Sequence, residues 1–211
     1  MAMDSGLEGV IAAETVLSHS DGAQGILWVR GHTLAELVAG FGYDGAVGLL
    51  WEGFAGEGLD RETMRARLGA ARQEAFAGLG QWLDRSDRRT VVEGVRLALA
   101  SLPDAAAPAA ILATLPVAIG ALLRRRAGAV PLAPDPGQTT AADLLRMVHG
   151  HPVDPAMAEA LDTYWTAVID NGLNTSAFTA RVNASSRAAL ASAALGAYCA
   201  FTGPLHGGAP E

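Results

Sequence analysis

Between Asp104 and Arg124 the chain carries no charged side chain, and Arg124-Arg125-Arg126 follows at once. A run of this length with that flank admits two solutions. One is a membrane span with a positive flank; the other is the middle helix of an all-helical body, apolar on every side because it has neighbours on every side. The stretch Ala105 to Leu123 is dominated by alanine, holds Pro108 and Pro116, and stands alone in the sequence, which favours the second solution. Composition agrees: 50% of the residues are hydrophobic and only 6% aromatic, so the core is built mainly from Ala, Leu and Val. Ala and Leu head the helix scale. The expected class is all-α, with a short β arm at the start.

The local signals divide the chain accordingly. Val10 to Val16 and Ile26 to Val29 are β-compatible runs joined through Ser18 to Gly25, where Asp21-Gly22 offers a tight turn. Thr33-Leu34-Ala35-Glu36 forms a capping box, so a short helix starts there. Further helices are expected from about Tyr43 to Glu52, Asp60 to Leu79, Arg88 to Leu102, and Ala105 to Arg126 with a kink at Pro116. In the helix from Asp60 to Leu79, Met64, Leu68, Ala71, Ala75 and Leu79 share one face. Gly128 to Gln138 holds three prolines and reads as a loop. Helices follow over about Thr140 to Val148, Asp154-Pro155 to Asp170 (acceptor at N-cap, proline at N1), Thr175 to Ala184, and Ser186 to Thr202. The expected division is an arm over residues 1–32 and a helical body over 33–211.

Charge and cysteine use exclude several classes. A net charge of -7 argues against a nucleic-acid binder, which needs a basic face. All basic side chains other than histidine are arginine, which reads as coding bias. Cys199 is the only cysteine, so no intrachain disulfide forms. With no basic and apolar leader over Met1 to Gly9, the expected location is the cytoplasm, and the sequons at Asn174 and Asn183 are accidental. Gly40 to Gly45 satisfies G-x-G-x-x-G, but a helix and not a strand precedes it, so it reads as an interhelical loop. His149-Gly150-His151 has no third ligand in view and reads as a solvated turn, so no metal site is expected. Cys199, flanked by apolar residues, reads as a buried thiol.

His206 stands apart. It lies beyond the last helix, in Gly203-Pro204-Leu205-His206-Gly207-Gly208-Ala209-Pro210-Glu211, where glycine lets backbone approach a ligand closely. On its own it reads either as a capping histidine or as a ligand-facing imidazole. Upstream lies Asp170-Asn171-Gly172-Leu173-Asn174-Thr175-Ser176-Ala177-Phe178-Thr179-Ala180-Arg181-Val182. Both segments resemble the citrate synthase family, roughly D-H-x-x-N-x-S-x-F-x-A-R-V followed by G-P-L-H-G-G-A-N-E. Gly6-Leu7-Glu8, Glu14-Thr15, Asp21-Gly22 and Arg30-Gly31 resemble that family's opening in the same order.

The resemblance implies the large domain of that fold, with the small domain missing, and a dimer packed through helices. It implies condensation of acetyl-CoA (or propionyl-CoA) with oxaloacetate through an enol, with acyl-CoA as substrate and no bound cofactor. His206 then hydrogen-bonds the thioester carbonyl oxygen as charge develops there, a task suited to a neutral imidazole in a water-poor cleft. Asn171 and Asn174 fall at substrate-binding positions, while coenzyme-binding residues stay unassigned. Two departures stand out. Asn171 replaces the family's histidine and cannot carry a charge. The aspartate base, the second histidine and the carboxylate-binding arginines lie, in the family, beyond Glu211. The chain is therefore expected to be inactive alone, either as a truncated form needing the missing C-terminal half or paired with a second chain that supplies it, and to act as a homodimer or a hetero-oligomer with such a chain. A non-catalytic binding or regulatory subunit, and a helical interaction protein with a relic motif, are the alternatives.

Overall fold

The computed structural model describes residues 13–208. Val10 to Ile11, Gly6-Leu7-Glu8 and the terminal Ala209-Pro210-Glu211 lie outside the described residues. A three-stranded antiparallel sheet, β1 (Ser18–Asp21), β2 (Ile26–Val29) and β3 (His32–Thr33), opens the fold in the order β1-β2-β3. Nine helices follow among the described residues: α1 (Leu34–Gly40), α2 (Gly42–Trp51), α3 (Arg61–Ala77), α4 (Val91–Ala100), α5 (Pro108–Arg126), α6 (Thr140–His149), α7 (Pro155–Ala167), α8 (Thr175–Ser185) and α9 (Leu190–Phe201).

The arm is displaced from its expected place. The first strand is Ser18–Asp21, inside the segment read as a connector, and Ala13 to Val16 is not strand. Polarity misled: a small edge strand tolerates Ser-His-Ser-Asp because pairing supplies the backbone bonds and only one face is covered. The Asp21 carboxylate instead organises the turn, its Oδ1 accepting from the amides of Ala23 (2.9 Å) and Gln24 (3.0 Å).

Helix starts follow their caps. Thr33 and Glu36 form the reciprocal box at α1, and Asp154 Oδ1 accepts the Ala156 amide at 2.9 Å ahead of Pro155. The fourth helix begins at Val91 rather than Arg88, because Thr90 and Glu93 make a second box there. Two short 3₁₀ turns, Leu79–Gln81 and Leu83–Ser86, occupy the gap before it. At its far end α7 stops at Ala167, short of Asp170; Val168 has left the helical region at φ -108°.

The apolar helix α5 sits in the middle and serves two cores. Val117, Ala118, Ala121 and Leu122 join Val95, Ala98 and Leu99 of α4. Ala109 and Ala113 join Met64, Leu68 and Ala71 of α3 with Val47 of α2. Each fully buried large apolar side chain in such clusters contributes about 1.5–3 kcal/mol by leaving water. Small residues favour the spacing: a Cβ on Gly94 would stand 2.6 Å from Leu122 Cδ1, so a larger residue there would push the Leu122 side chain aside. Although α5 is long and apolar enough to span a membrane, with mean hydropathy 1.3, it is enclosed by α3, α4 and α6. That is the place of a core helix. It continues through Pro116, which is buried.

One charged knot fastens the loop 128–139. The Arg72 guanidinium is wholly buried; its Nε donates to Asp143 Oδ2 and its Nη1 to Thr140 Oγ1, both at 2.8 Å. Nη2 reaches the carbonyls of Gln138 (2.9 Å) and Asp135 (3.4 Å). Asp143 in turn holds Arg146 at 2.7 Å. Burying such charges is tolerable only because each nitrogen of Arg72 and each carboxylate oxygen of Asp143 finds a partner.

Candidate active site

Asn174 caps α8: its backbone is extended and its Oδ1 accepts the Ala177 amide at 2.9 Å. A backbone amide can only donate, so this bond fixes which end of the Asn174 amide faces inward. The Ser176 hydroxyl donates to the same Oδ1 at 2.9 Å. Its single proton is thereby committed, and its oxygen stands 3.0 Å from His206 Nε2. Nε2 therefore carries the proton it donates to Ser176. Nδ1 holds a lone pair in the neutral ring and a second donor in the imidazolium.

The histidine is presented by a compact turn after α9. The His206 amide donates to Gly203 O (3.0 Å), the Gly207 amide to Phe201 O (2.8 Å) and the Gly208 amide to Gly203 O (3.1 Å). A Cβ on Gly207 would stand 2.5 Å from Phe201 O and 2.6 Å from its ring, so the turn closes only with glycine there. The Phe201 ring meets the half-buried imidazole edge-on, with centroids 5.4 Å apart. The adjacent Leu205 is 99% exposed.

The structure thus brings Asn174 and His206 together and adds Ser176, which the sequence reading quoted within the motif but gave no role. The signal was there: a hydroxyl two residues after an asparagine N-cap is within reach of the cap's own oxygen. Asn171 is placed elsewhere. It is exposed, in the turn made by Gly172 (φ 67°), and lines a cavity of about 260 Å³ beneath the β arm; Asn174, Ser176 and His206 do not line that cavity.

A larger apolar groove of about 640 Å³ runs among α2, α4, α5, α7 and α9, lined by Tyr43, Trp51, Leu115, Ile119, Trp165 and Phe201 among others. Phe201 connects it to His206. Tyr43 packs against Trp165 with ring centroids 5.0 Å apart and the planes tilted by 57°. Burial pushes its phenol far above the ordinary range, and the carboxylates of Asp44 and Asp162 push the same way. Asp162, half-buried, has its own carboxyl raised by burial and by Asp44, against the opposing Tyr43 amide and Arg61. The hairpin α8–α9 flanks the site, and no residue of α8 is buried.

Cys199 is exposed, not buried as its apolar neighbours suggested. The preceding residue explains it: the Tyr198 hydroxyl donates to Val92 O at 3.0 Å, which turns that face of α9 to the body and the next position outward. His149 and His151 lie with ring centroids 6.0 Å apart, and His151 Nδ1 is taken by Pro152 O at 2.8 Å. Among the described residues no cluster of three or more His, Cys, Asp or Glu is placed to hold a metal ion. Gly40 ends α1 and Gly42 to Gly45 opens α2, so the glycine motif joins two helices.

The family model for citrate synthase, C-terminal domain, matches residues 6–211. A 2-methylcitrate synthase of Mycobacterium tuberculosis is 30% identical over 98% of this chain and 55% of its own length. A citrate synthase of Acidithiobacillus ferridurans is 30% identical over 98% of this chain and 58% of its own. Citrate synthase from Thermotoga maritima superposes with a TM-score of 0.83 at 24% identity, over 97% of this chain and 57% of that one. The ternary complex of carboxymethyl coenzyme A and oxaloacetate with citrate synthase from Thermoplasma acidophilum gives a TM-score of 0.79 at 19% identity. The chain spans little more than half the length of these relatives. With the family model matched over residues 6–211, this chain belongs to the citrate synthase family.

Proposed function

We propose that the chain contributes part of a condensing site joining acetyl-CoA or propionyl-CoA to oxaloacetate, the rest of which comes from the region of the relatives that it does not match. The observation that carries this is the Asn174–Ser176–His206 chain of hydrogen bonds. It holds one ring nitrogen in the protein and leaves Nδ1 for a ligand. With Nε2 donating to Ser176, the neutral ring expected from the resemblance has no proton at Nδ1, so it is as imidazolium that the ring donates from Nδ1 to a thioester carbonyl oxygen while an external base removes the α-proton. The fixed donor then meets the charge growing on that oxygen with little reorganisation. Support for the substrates comes from the relatives' names and from the coenzyme A analogue and oxaloacetate in the Thermoplasma acidophilum complex. Support for a missing half comes from the share of the relatives' length that is matched. The apolar groove offers a surface for the complementing part, with Phe201 at its edge beside the imidazole.

The test is oxaloacetate-dependent thiol release from acetyl-CoA or propionyl-CoA. The chain alone is inactive; mixed with the remaining C-terminal part of the Mycobacterium tuberculosis relative it turns over. His206→Ala abolishes that activity, and Ser176→Ala lowers it while changing which ring nitrogen carries the proton by ¹⁵N NMR. Complemented activity indifferent to His206→Ala sinks the proposal. A non-catalytic binding subunit is the second reading, favoured by the neutral amide at Asn171, which lines the cavity beneath the arm. It predicts that the purified chain binds oxaloacetate without turnover.

A further inference from the structure

We propose that Asp162 is a proton-operated latch between α7 and α2: as the neutral acid it holds the two helices together, and as the carboxylate it loosens them. Its Oδ2 accepts the Tyr43 amide, from the first turn of α2, at 3.1 Å. Among the described residues no other side-chain hydrogen bond joins α7 to a neighbouring helix. Thr166 is the only buried residue of α7, and its hydroxyl turns back to Asp162 O at 2.7 Å. The tie is thin, and it sits where there is little room. A Cβ on Gly42 (φ 61°) would stand 2.8 Å from Asp162 Oδ2 and 3.2 Å from Arg61 Nη2.

The surroundings pull the latch's proton both ways. Asp44, beside Tyr43, is 2% exposed; its Oδ2 accepts the Thr140 amide at 3.2 Å, while its Oδ1 is shut off from solvent without a partner among the described residues. A carboxylate covered at one oxygen only acts on its neighbours through a weakly screening interior. Arg61, which opens α3, opposes it but makes no ion pair with either carboxylate among the described residues. Burial raises the Asp162 carboxyl and Asp44 adds to it, outweighing the Tyr43 amide and Arg61. The Tyr43 phenol, raised by burial, stays protonated throughout. The other helices packed on α7 carry Glu36 on α1, taken by Thr33, and Asp143, Arg146 and His149 on α6, the first two paired with each other. Asp162 thus binds its proton more tightly with α7 docked than released, so docking is strongest in the protonated form and weakens as pH rises through the folded value.

The apolar groove rests on this joint. Tyr43 and Trp51 of α2 line one side, and Trp165 of α7 packs against Tyr43. Beyond α7 the chain runs through Val168 and Ile169 to the Gly172 turn and the Asn174 cap of α8. Protonation draws the groove's walls together and steadies the approach to α8; ionisation slackens both.

Hydrogen exchange of the full chain is followed by mass spectrometry from about pH 4 to about pH 8, with α7 protection taken relative to α5, while ¹³C NMR reads the Asp162 carboxyl. Relative α7 protection falls at least about twofold as the Asp162 signal titrates, with a midpoint above the ordinary aspartate range. Asp162→Asn, which keeps an oxygen for the Tyr43 amide, makes that protection high and independent of pH. Asp44→Asn moves the midpoint down and Arg61→Met moves it up, opposite shifts that packing alone does not produce. Unchanged circular dichroism shows that the variants fold. Three results each overturn the latch: a midpoint at the ordinary aspartate value, shifts in one direction for both charge variants, or pH-dependent α7 protection that survives Asp162→Asn. None of these readouts needs turnover, so failure of the condensation assay leaves a positive result standing.

Discussion

Replacing Arg72 with methionine removes a fully buried guanidinium while keeping most of its aliphatic stem. Four hydrogen bonds go with it: those to Asp143, Thr140 and the carbonyls of Gln138 and Asp135. Breaking one partner of a buried pair costs about 3–5 kcal/mol, because the remaining charge is left in low dielectric. Asp143 is not wholly abandoned, since Arg146 stays at 2.7 Å and the Asp135 amide at 3.0 Å. The expected loss therefore sits at the low end, about 3 kcal/mol, a large part of the roughly 5–15 kcal/mol that holds a domain folded. With a urea slope of about 2 kcal/mol/M, the unfolding midpoint falls by roughly 1.5 M. The loop 128–139 should also gain protease sensitivity, because Arg72 ties its carbonyls to α3. A double-mutant cycle with Asp143→Asn isolates the pair. A midpoint shift below about 0.5 M, or a coupling near zero, refutes the account of Arg72 as the fastening of that loop.

Three further outcomes are expected. Asp162→Asn keeps an oxygen for the Tyr43 amide (3.1 Å) and removes a charge beside Asp44; because a raised carboxyl favours the folded state at low pH and disfavours it once ionised, the variant is more stable than the parent near pH 7, and the gap closes toward about pH 4 in urea titrations. Glu93 has its carboxyl lowered by the Thr90 amide and hydroxyl, so its contribution is present above the ordinary carboxylate range and lost as pH falls through its folded value; Glu93→Gln flattens the acid limb of the stability profile below about pH 4. Ile119→Glu puts a charge on the apolar groove; light scattering should show an oligomer for the parent and a monomer for the variant, with helicity by circular dichroism unchanged.

What could be read from the sequence was local. The box at Thr33 and Glu36 and the Asp154-Pro155 start are each complete within four residues, and the helices begin where they say. The box at Thr90 and Glu93 was equally legible and went unread, which is why α4 was begun too early. The Arg72 knot was out of reach, because its partners lie more than sixty positions away and nothing local marks an arginine as interior. The same holds for the site: His206 and Asn174 follow from motif resemblance. The Ser176 bond depends on how the α8–α9 hairpin returns the chain. Asn171 comes from the same resemblance, at the position of the family's histidine; that it lies on the cavity beneath the arm depends on the Gly172 turn.

The helix that carries Asn174 and Ser176 buries none of its own side chains. Such a segment draws its persistence from α9 and from a single arginine strap, so its amides should exchange with solvent soonest among the long helices. Whatever comes to rest upon it will slow that exchange and, by the same free energy, sharpen the aim of the imidazole. Assembly and chemical competence are then one equilibrium seen from two ends.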